Sequence, residues 1–221
     1  MRNWQSIWTE RGGFWRFTNE EDPADQPHAV LTSGKHSDGY ANSRVISADP
    51  ALCDQVAEDL QVLLKERCKL NKPAMIFAPE SSAPPFARAL AGIRGIPAGS
   101  IGKEGEINLP AGCRQSDLRG MQVIVLEDVI TTGGSVRRAV ELLKKVGAVV
   151  LPYIPVLLNR SSDGTDFLKG DTGEPLGMRI LPLVKSPMNI WPPTLDECPL
   201  CAQGSMPLRP KDHWSAFSRS G

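Results

Sequence analysis

Apolar residues in this chain come in short runs separated by polar, glycine-bearing stretches, the pattern of buried strands alternating with helices. The clearest run is Val123-Ile-Val-Leu126, continuous and aliphatic, which predicts a strand buried on both faces as in a parallel sheet. It ends at Glu127-Asp128. Thr131, Thr132, Gly133, Gly134 and Ser135 follow as a turn, after which Val136, Ala139, Val140, Leu143 and Val146 recur on one helical face. A longer helix is predicted from Asp49 or Pro50 to about Arg67. There Asp49 suits the cap and Pro50 the first turn, while Leu52, Val56, Leu60 and Leu63 repeat at helical intervals. Shorter apolar runs predict strands at 74–78, 97–101 and 148–158, and an edge strand at 178–184. The polar stretch 79–85 opens another helix. Residues 102–118, poor in apolar positions and rich in glycine and charge, predict a mobile excursion.

The two ends read differently. Trp4, Trp8, Phe14, Trp15 and Phe17 crowd the N-terminus, with Gly12-Gly13 stopping a helix that begins near Asn3, and aromatics so dense are expected to pack. Residues 20–27 predict a loop, and Leu31 to Asn42, with Gly34 and Gly39, a turn between short strands. From Ser186 onward prolines dominate. Strands near 74, 97, 122 and 149 alternating with helices predict an α/β fold with a central, mainly parallel sheet. Right-handed crossovers would put the strand ends on one edge, where a ligand belongs. The organisation expected is an N-terminal segment at 1–48, the α/β core at 49–185 and a proline-rich tail at 186–221.

Length changes this picture little, since 221 residues allow one sizeable α/β domain plus accessories. Charge is more restrictive. With 25 Lys and Arg against 25 Asp and Glu there is no basic field, which argues against nucleic acid as the main partner. No stretch approaches transmembrane length and the first 14 residues lack a signal-type apolar core, so no membrane partner and a cytoplasmic location are expected. Five scattered cysteines fit a reducing compartment. Cys198-Pro-Leu-Cys201 is half a zinc site, but Cys53, Cys68 and Cys113 are dispersed and none of the three histidines is spaced as a metal pair.

Candidate chemistry concentrates at 127–135. Glycines let successive amides of the turn point inward and the following helix adds positive potential at its N-terminus, so the turn is built for a phosphate. The two acids beside it are placed to accept hydrogen bonds from sugar hydroxyls or to attract hydrated magnesium. A nucleotide P-loop is excluded, because no Gly-x-x-x-x-Gly-Lys-Ser/Thr occurs.

The stretch from Val123 to Ser135 resembles the phosphoribosyl pyrophosphate signature of type I phosphoribosyltransferases. That resemblance implies their fold, a mainly parallel sheet flanked by helices with a small hood from the chain ends. It also implies that Glu127 and Asp128 hold the ribose hydroxyls, directly or through substrate-bound Mg2+, and that Thr131, Thr132, Gly133, Gly134 and Ser135 bind the 5′-phosphate. Three further segments resemble the orotate branch of the family. Leu31-Thr-Ser-Gly-Lys-His-Ser-Asp-Gly-Tyr40 is similar to an element lining the base and pyrophosphate site, which makes Lys35 an anion contact and Ser33 and Tyr40 base-pocket residues; Thr32 stands where many members have lysine. Lys103, in Ile101-Gly-Lys-Glu-Gly-Glu106, resembles one lysine of a loop that closes over the substrates and reaches the neighbouring subunit, though a second lysine and a histidine have no counterpart. Asn159-Arg160 resembles an Asp-Arg pair, and a guanidinium suits the carboxylate of an acidic base. At 79–85 the resemblance implies a pyrophosphate loop, with Ser81 and Ser82 as its contacts; the family has glycines there, whereas this chain has Pro84-Pro85, which removes two donors. The Cys-Pro-Leu-Cys segment is similar to one ending several bacterial orotate phosphoribosyltransferase-like chains.

The resemblance thus implies a transferase taking phosphoribosyl pyrophosphate and a nucleobase, most plainly orotate, as a homodimer. It leaves two other readings open: transfer to a purine or modified base, and a non-catalytic sensor of nucleotides or phosphoribosyl pyrophosphate.

Overall fold

The computed structural model describes residues 1–18, 20–67 and 73–217, so Cys68 lies outside the described residues. Contacts divide the chain into two units, one formed by Met1–Arg2 with Ile46–Ser186 and one by Asn3–Val45 with Pro187 onward.

In the first unit the strands Met75–Pro79, Ala98–Ile101 and Gln122–Val125 lie side by side and parallel. Their pleat sorts the side chains. Met75, Phe77, Val123 and Val125 share a buried cluster with Val136, Ala139, Val140 and Leu143 of the helix Gly134–Lys145. The alternate residues Ile76, Ala78 and Ile124 are buried as well. That double burial explains why these strands read as unbroken aliphatic runs. The helix Pro50–Arg67 is capped by Asp49, whose Oδ1 accepts from the amides of Ala51 at 3.0 Å and Leu52 at 3.3 Å. It buries Leu52, Val56, Leu60 and Leu64, so the apolar face runs through Leu64, with Leu63 only half-buried.

Four expectations are corrected. The run Val123–Leu126 does not end its strand system at the two acids. After Leu126 the chain enters a second strand, Glu127–Ile130, in a neighbouring sheet. The run 148–158 behaves alike: Val149–Val150 pairs with Gln122–Val125, and beyond Leu151-Pro152 the strand Tyr153–Asn159 pairs with Glu127–Ile130. Two adjacent strands therefore each cross from a five-stranded sheet to a four-stranded one. The strand predicted at 178–184 is Pro175–Lys185 and lies inside its sheet, between Tyr153–Asn159 and a short edge strand, Phe167–Lys169. Finally, residues 102–118 hold two short regular elements. Ile107–Asn108 returns antiparallel to Ala98–Ile101 across a tight turn closed by Gly102 N donating to Glu106 O at 2.8 Å, and Leu118 is buried at the end of the short 3-10 turn Gln115–Leu118.

In the second unit the helix Trp4–Glu10 is capped by Asn3, whose side chain accepts from Ser6 N. Trp4, Trp8, Phe14 and Trp15 are buried, as their density predicted. The strands His28–Val30 and His36–Ser37 form the expected hairpin, with Gly34 at φ +80° in its turn. The proline-rich tail completes this sheet: Ile190–Trp191 pairs with His36–Ser37 and Pro207–Leu208 runs parallel to His28–Val30. Among the described residues no helix is long and apolar enough to cross a membrane.

Candidate active site

Glu127 and Asp128 open the strand after Leu126, and both are buried, at 4% and 7% exposure. The strand crossing puts them there: a chain that had left the sheet at Leu126 would have carried them to solvent. Ser81, which leaves the end of Met75–Pro79, places its Oγ 3.2 Å from Glu127 Oε1 and 3.0 Å from Asp128 Oδ1. It has one proton to share between them, and it accepts from Ala83 N at 3.3 Å. Glu127 Oε1 also accepts the Asp128 amide at 3.0 Å. Burial, reinforced by the neighbouring Asp128, pushes the Glu127 carboxyl well above the usual carboxylate range. Ionising Glu127 therefore costs free energy until something positive or hydrogen-donating meets it.

The turn that follows is shaped by Gly133. It caps the helix Gly134–Lys145 at φ +75°, and a Cβ there would sit 2.4 Å from Leu168 Cδ1, a buried side chain. Both its backbone angle and its neighbour require glycine. Gly134 differs, since a Cβ there meets nothing nearer than 3.7 Å. The first amides of this helix have no intrahelical acceptor and the macrodipole adds to their pull on an anion. Arg137, which the sequence reading did not single out, fastens the turn from behind. Its Nη1 donates to Thr132 O and Lys169 O, each at 2.9 Å, and its Nη2 pairs with Asp171 at 2.6 Å. A cavity of about 170 Å³ borders the turn, lined by Thr131, Thr132 and Gly133 together with Asp163, Thr165 and Lys169.

Arg160 enters from the adjacent strand. Asn159 pairs with Ile130 in register, and Arg160 N donates to Ile130 O at 2.8 Å, so the residue follows the strand neighbouring the one that leads into the turn. Its backbone is set by Asn159, whose side-chain oxygen accepts Ser161 N and Oγ while Nδ2 donates to Thr165 O at 2.7 Å. Arg160 is buried, at 4% exposure, and is no surface residue.

The remaining predicted residues are more dispersed. Ser82 is half-buried, and Pro84 and Pro85 fill the first turn of the helix Pro84–Arg94, where a missing N–H costs no intrahelical bond. Lys103 is exposed in the 102–106 turn. That hairpin is held by Glu80, whose Oε1 accepts Ser100 Oγ at 3.1 Å and Asn108 Nδ2 at 2.7 Å. Ser33, Lys35 and Tyr40 belong to the second unit: Ser33 and Lys35 are exposed, and the Tyr40 ring packs 6.0 Å from Trp214. In the same unit, His28 and His36 meet Cys198 and Cys201, partners that the spacing in the sequence did not show.

A family model described as phosphoribosyl transferase domain matches residues 46–163. Orotate phosphoribosyltransferase of Heliobacterium modesticaldum is 30% identical over 184 residues, covering 83% of this chain and 88% of the relative. The enzyme of the same name from Thermotoga maritima is 32% identical over 178 residues, covering 80% and 86%. Among solved structures, orotate phosphoribosyltransferase from Aeropyrum pernix matches with a TM-score of 0.61 over 82% of this chain and 93% of that one, at 21% identity, a likeness of fold.

Proposed function

Because this chain belongs to the phosphoribosyltransferase family, we propose that it moves ribose 5-phosphate from phosphoribosyl pyrophosphate to orotate, yielding orotidine 5′-monophosphate and pyrophosphate in pyrimidine synthesis. The observation that carries the reading is the buried acid pair at the entrance to a glycine-capped helix N-terminus. The amides at that N-terminus bind the 5′-phosphate. Glu127 and Asp128 accept hydrogen bonds from the ribose hydroxyls, and their charge stabilises the ring as it becomes cation-like.

Magnesium is part of the proposal. Glu127, whose ionisation is penalised by burial and by the neighbouring Asp128, would with Asp128 suit a hard cation held with the substrate. Such an ion supplies positive charge against which pyrophosphate departs. The C1′–oxygen bond to pyrophosphate breaks, the bond from C1′ to the base nitrogen forms, and the proton of that nitrogen passes to solvent. Arg160 grips the carboxylate of orotate, and Lys103 balances charge on the leaving group. From the resemblance we carry over an anion contact for Lys35, base-pocket roles for Ser33 and Tyr40, and pyrophosphate contacts for Ser81 and Ser82. Holding donor and base in line removes much of the entropic barrier.

A base panel tests the acceptor. With phosphoribosyl pyrophosphate and magnesium the protein is expected to consume orotate and to leave adenine, guanine and hypoxanthine unchanged. Turnover of a purine in preference to orotate would keep the donor chemistry and overturn the role of Arg160.

A further inference from the structure

Four side chains of the second unit converge, and the transferase chemistry uses none of them. His28 and His36 come from paired strands of the hairpin, Cys198 and Cys201 from the tail, and their ligand atoms all lie within 4.8 Å of one another. His28 Nε2 is 3.0 Å from His36 Nδ1, 3.4 Å from Cys201 Sγ and 3.8 Å from Cys198 Sγ, and His36 Nδ1 is 3.3 Å from Cys201 Sγ. A tetrahedral ion bonded at about 2.0–2.1 Å to nitrogen and about 2.3 Å to sulfur would set such atoms about 3.3–3.8 Å apart. His28, His36 and Cys198 are buried and Cys201 is half-buried. Both thiols are free.

The surroundings orient the set. Ser205 Oγ donates its proton to Gln26 O at 2.8 Å, so at 2.9 Å from His28 Nδ1 it acts as acceptor. That fixes the proton of His28 on Nδ1 and turns the Nε2 lone pair toward the other three groups, the arrangement that supports metal-ligating histidines. The two cysteines are presented by a knuckle. Cys198 precedes the one-turn helix Pro199–Ala202, whose last turn closes through Gly204 N to Cys201 O and Ser205 N to Leu200 O, each at 3.0 Å. The same turn therefore delivers both cysteines and the serine that orients His28.

We propose that His28, His36, Cys198 and Cys201 bind one structural Zn2+ ion that fastens the C-terminal segment to the N-terminal hairpin. Two imidazoles and two thiolates in a tetrahedron favour zinc over oxygen-seeking cations, and with all four positions filled by protein the ion has no open site for catalysis. The need is physical. This unit is small, a situation in which a metal commonly supplements the core. A staple between segments so distant in sequence also removes a large share of the unfolded chain's freedom.

Elemental analysis of the full chain, purified under reducing conditions without a polyhistidine tag, tests this. The expected result is about one zinc per chain. Cobalt exchanged into the protein should give the visible bands of a tetrahedral site together with thiolate charge transfer. Cys201→Ser and His36→Ala should lose the metal, Cys113→Ser should keep it, and Ser205→Ala should weaken it about 10-fold to 100-fold. Chelation should lower the melting temperature of the native chain, which keeps the test valid even where a ligand variant fails to fold. Metal-free protein that takes up neither zinc nor cobalt, or full occupancy in both ligand variants, would overturn the proposal.

Discussion

The acid pair with its turn and the histidine–cysteine quartet are both built from a few polar groups in buried surroundings, yet they are assembled in opposite ways. The first is contiguous: Glu127 to Ser135 supplies two carboxylates, the glycine bend and the helix start within nine residues of chain. The second draws on residues as far as 173 apart, His28 and Cys201, brought together by strand pairing at both ends of the sequence. A site encoded in one stretch is fixed by local geometry and tolerates distant change. A site encoded across the chain depends on the fold around it. Substitutions of the two acids should therefore damage chemistry while sparing the fold.

The largest expected effect is at Asp128. Asp128→Asn should lower kcat by about 10²-fold to 10³-fold, the usual size for a lost electrostatic contact in the transition state, with an unchanged circular dichroism spectrum. Steady-state kinetics checks it, and turnover near wild type would remove the acid pair from the mechanism. Glu127→Gln sharpens the same point through stability. In the folded chain the Glu127 proton is held to higher pH than in the unfolded chain, so between those two pKa values the folded state carries the extra proton and stability falls as pH rises. Removing the charge should raise the melting temperature, by about 2–4 °C per kcal/mol of relief, with a gain that grows across that window. A gain that shrinks with pH would contradict the cause assigned to the shift.

The turn offers a paired test. Gly133→Ala forces a Cβ against the buried Leu168 and a left-handed backbone on alanine, and should cost about 1–3 kcal/mol of stability. Gly134→Ala makes only ordinary van der Waals contacts, at 3.7 Å or more, and should leave stability near wild type while weakening phosphoribosyl pyrophosphate binding, which calorimetric titration would read. Equal stability losses in both variants would mean that the turn is shaped by packing alone.

Smaller effects are expected for the acceptor side. Arg160→Lys gives up a bidentate grip and should raise the KM for orotate by about 10-fold to 100-fold, with the donor KM unchanged. Lys103→Ala and Lys35→Ala, both at exposed positions, should each cost about 10-fold or less, in kcat and in substrate KM respectively.

How much of this was legible in the sequence follows the same division. The strand at 122–125 and the turn and helix from Gly133 to Lys145 read correctly because burial, bend and amphipathic face sit in consecutive residues. The crossings after Leu126 and at Leu151-Pro152 did not, since a chain buried in both sheets stays aliphatic on either side of the break. The edge strand Phe167–Lys169 is too short to show a period, which left Pro175–Lys185 looking like the edge. Arg137 gave no signal beyond being a polar residue on a helix, and the contact of the Ser81 hydroxyl with the acid pair joins residues 46 and 47 apart, which no local pattern shows. His28 and His36 carry no metal spacing because strand pairing supplies their proximity. Cys198 and Cys201 were the only visible half of that site.

The most direct test of the central reading is pyrophosphate release with phosphoribosyl pyrophosphate, magnesium and orotate, measured side by side for the wild-type chain and Asp128→Asn. The acid pair and turn as a donor site predict stoichiometric pyrophosphate and orotidine 5′-monophosphate from the wild type, and a loss of both in the variant with its fold intact. Tight binding of phosphoribosyl pyrophosphate by the wild type with no pyrophosphate released from any base would contradict it, and would mark the turn as a sensor's phosphate cradle.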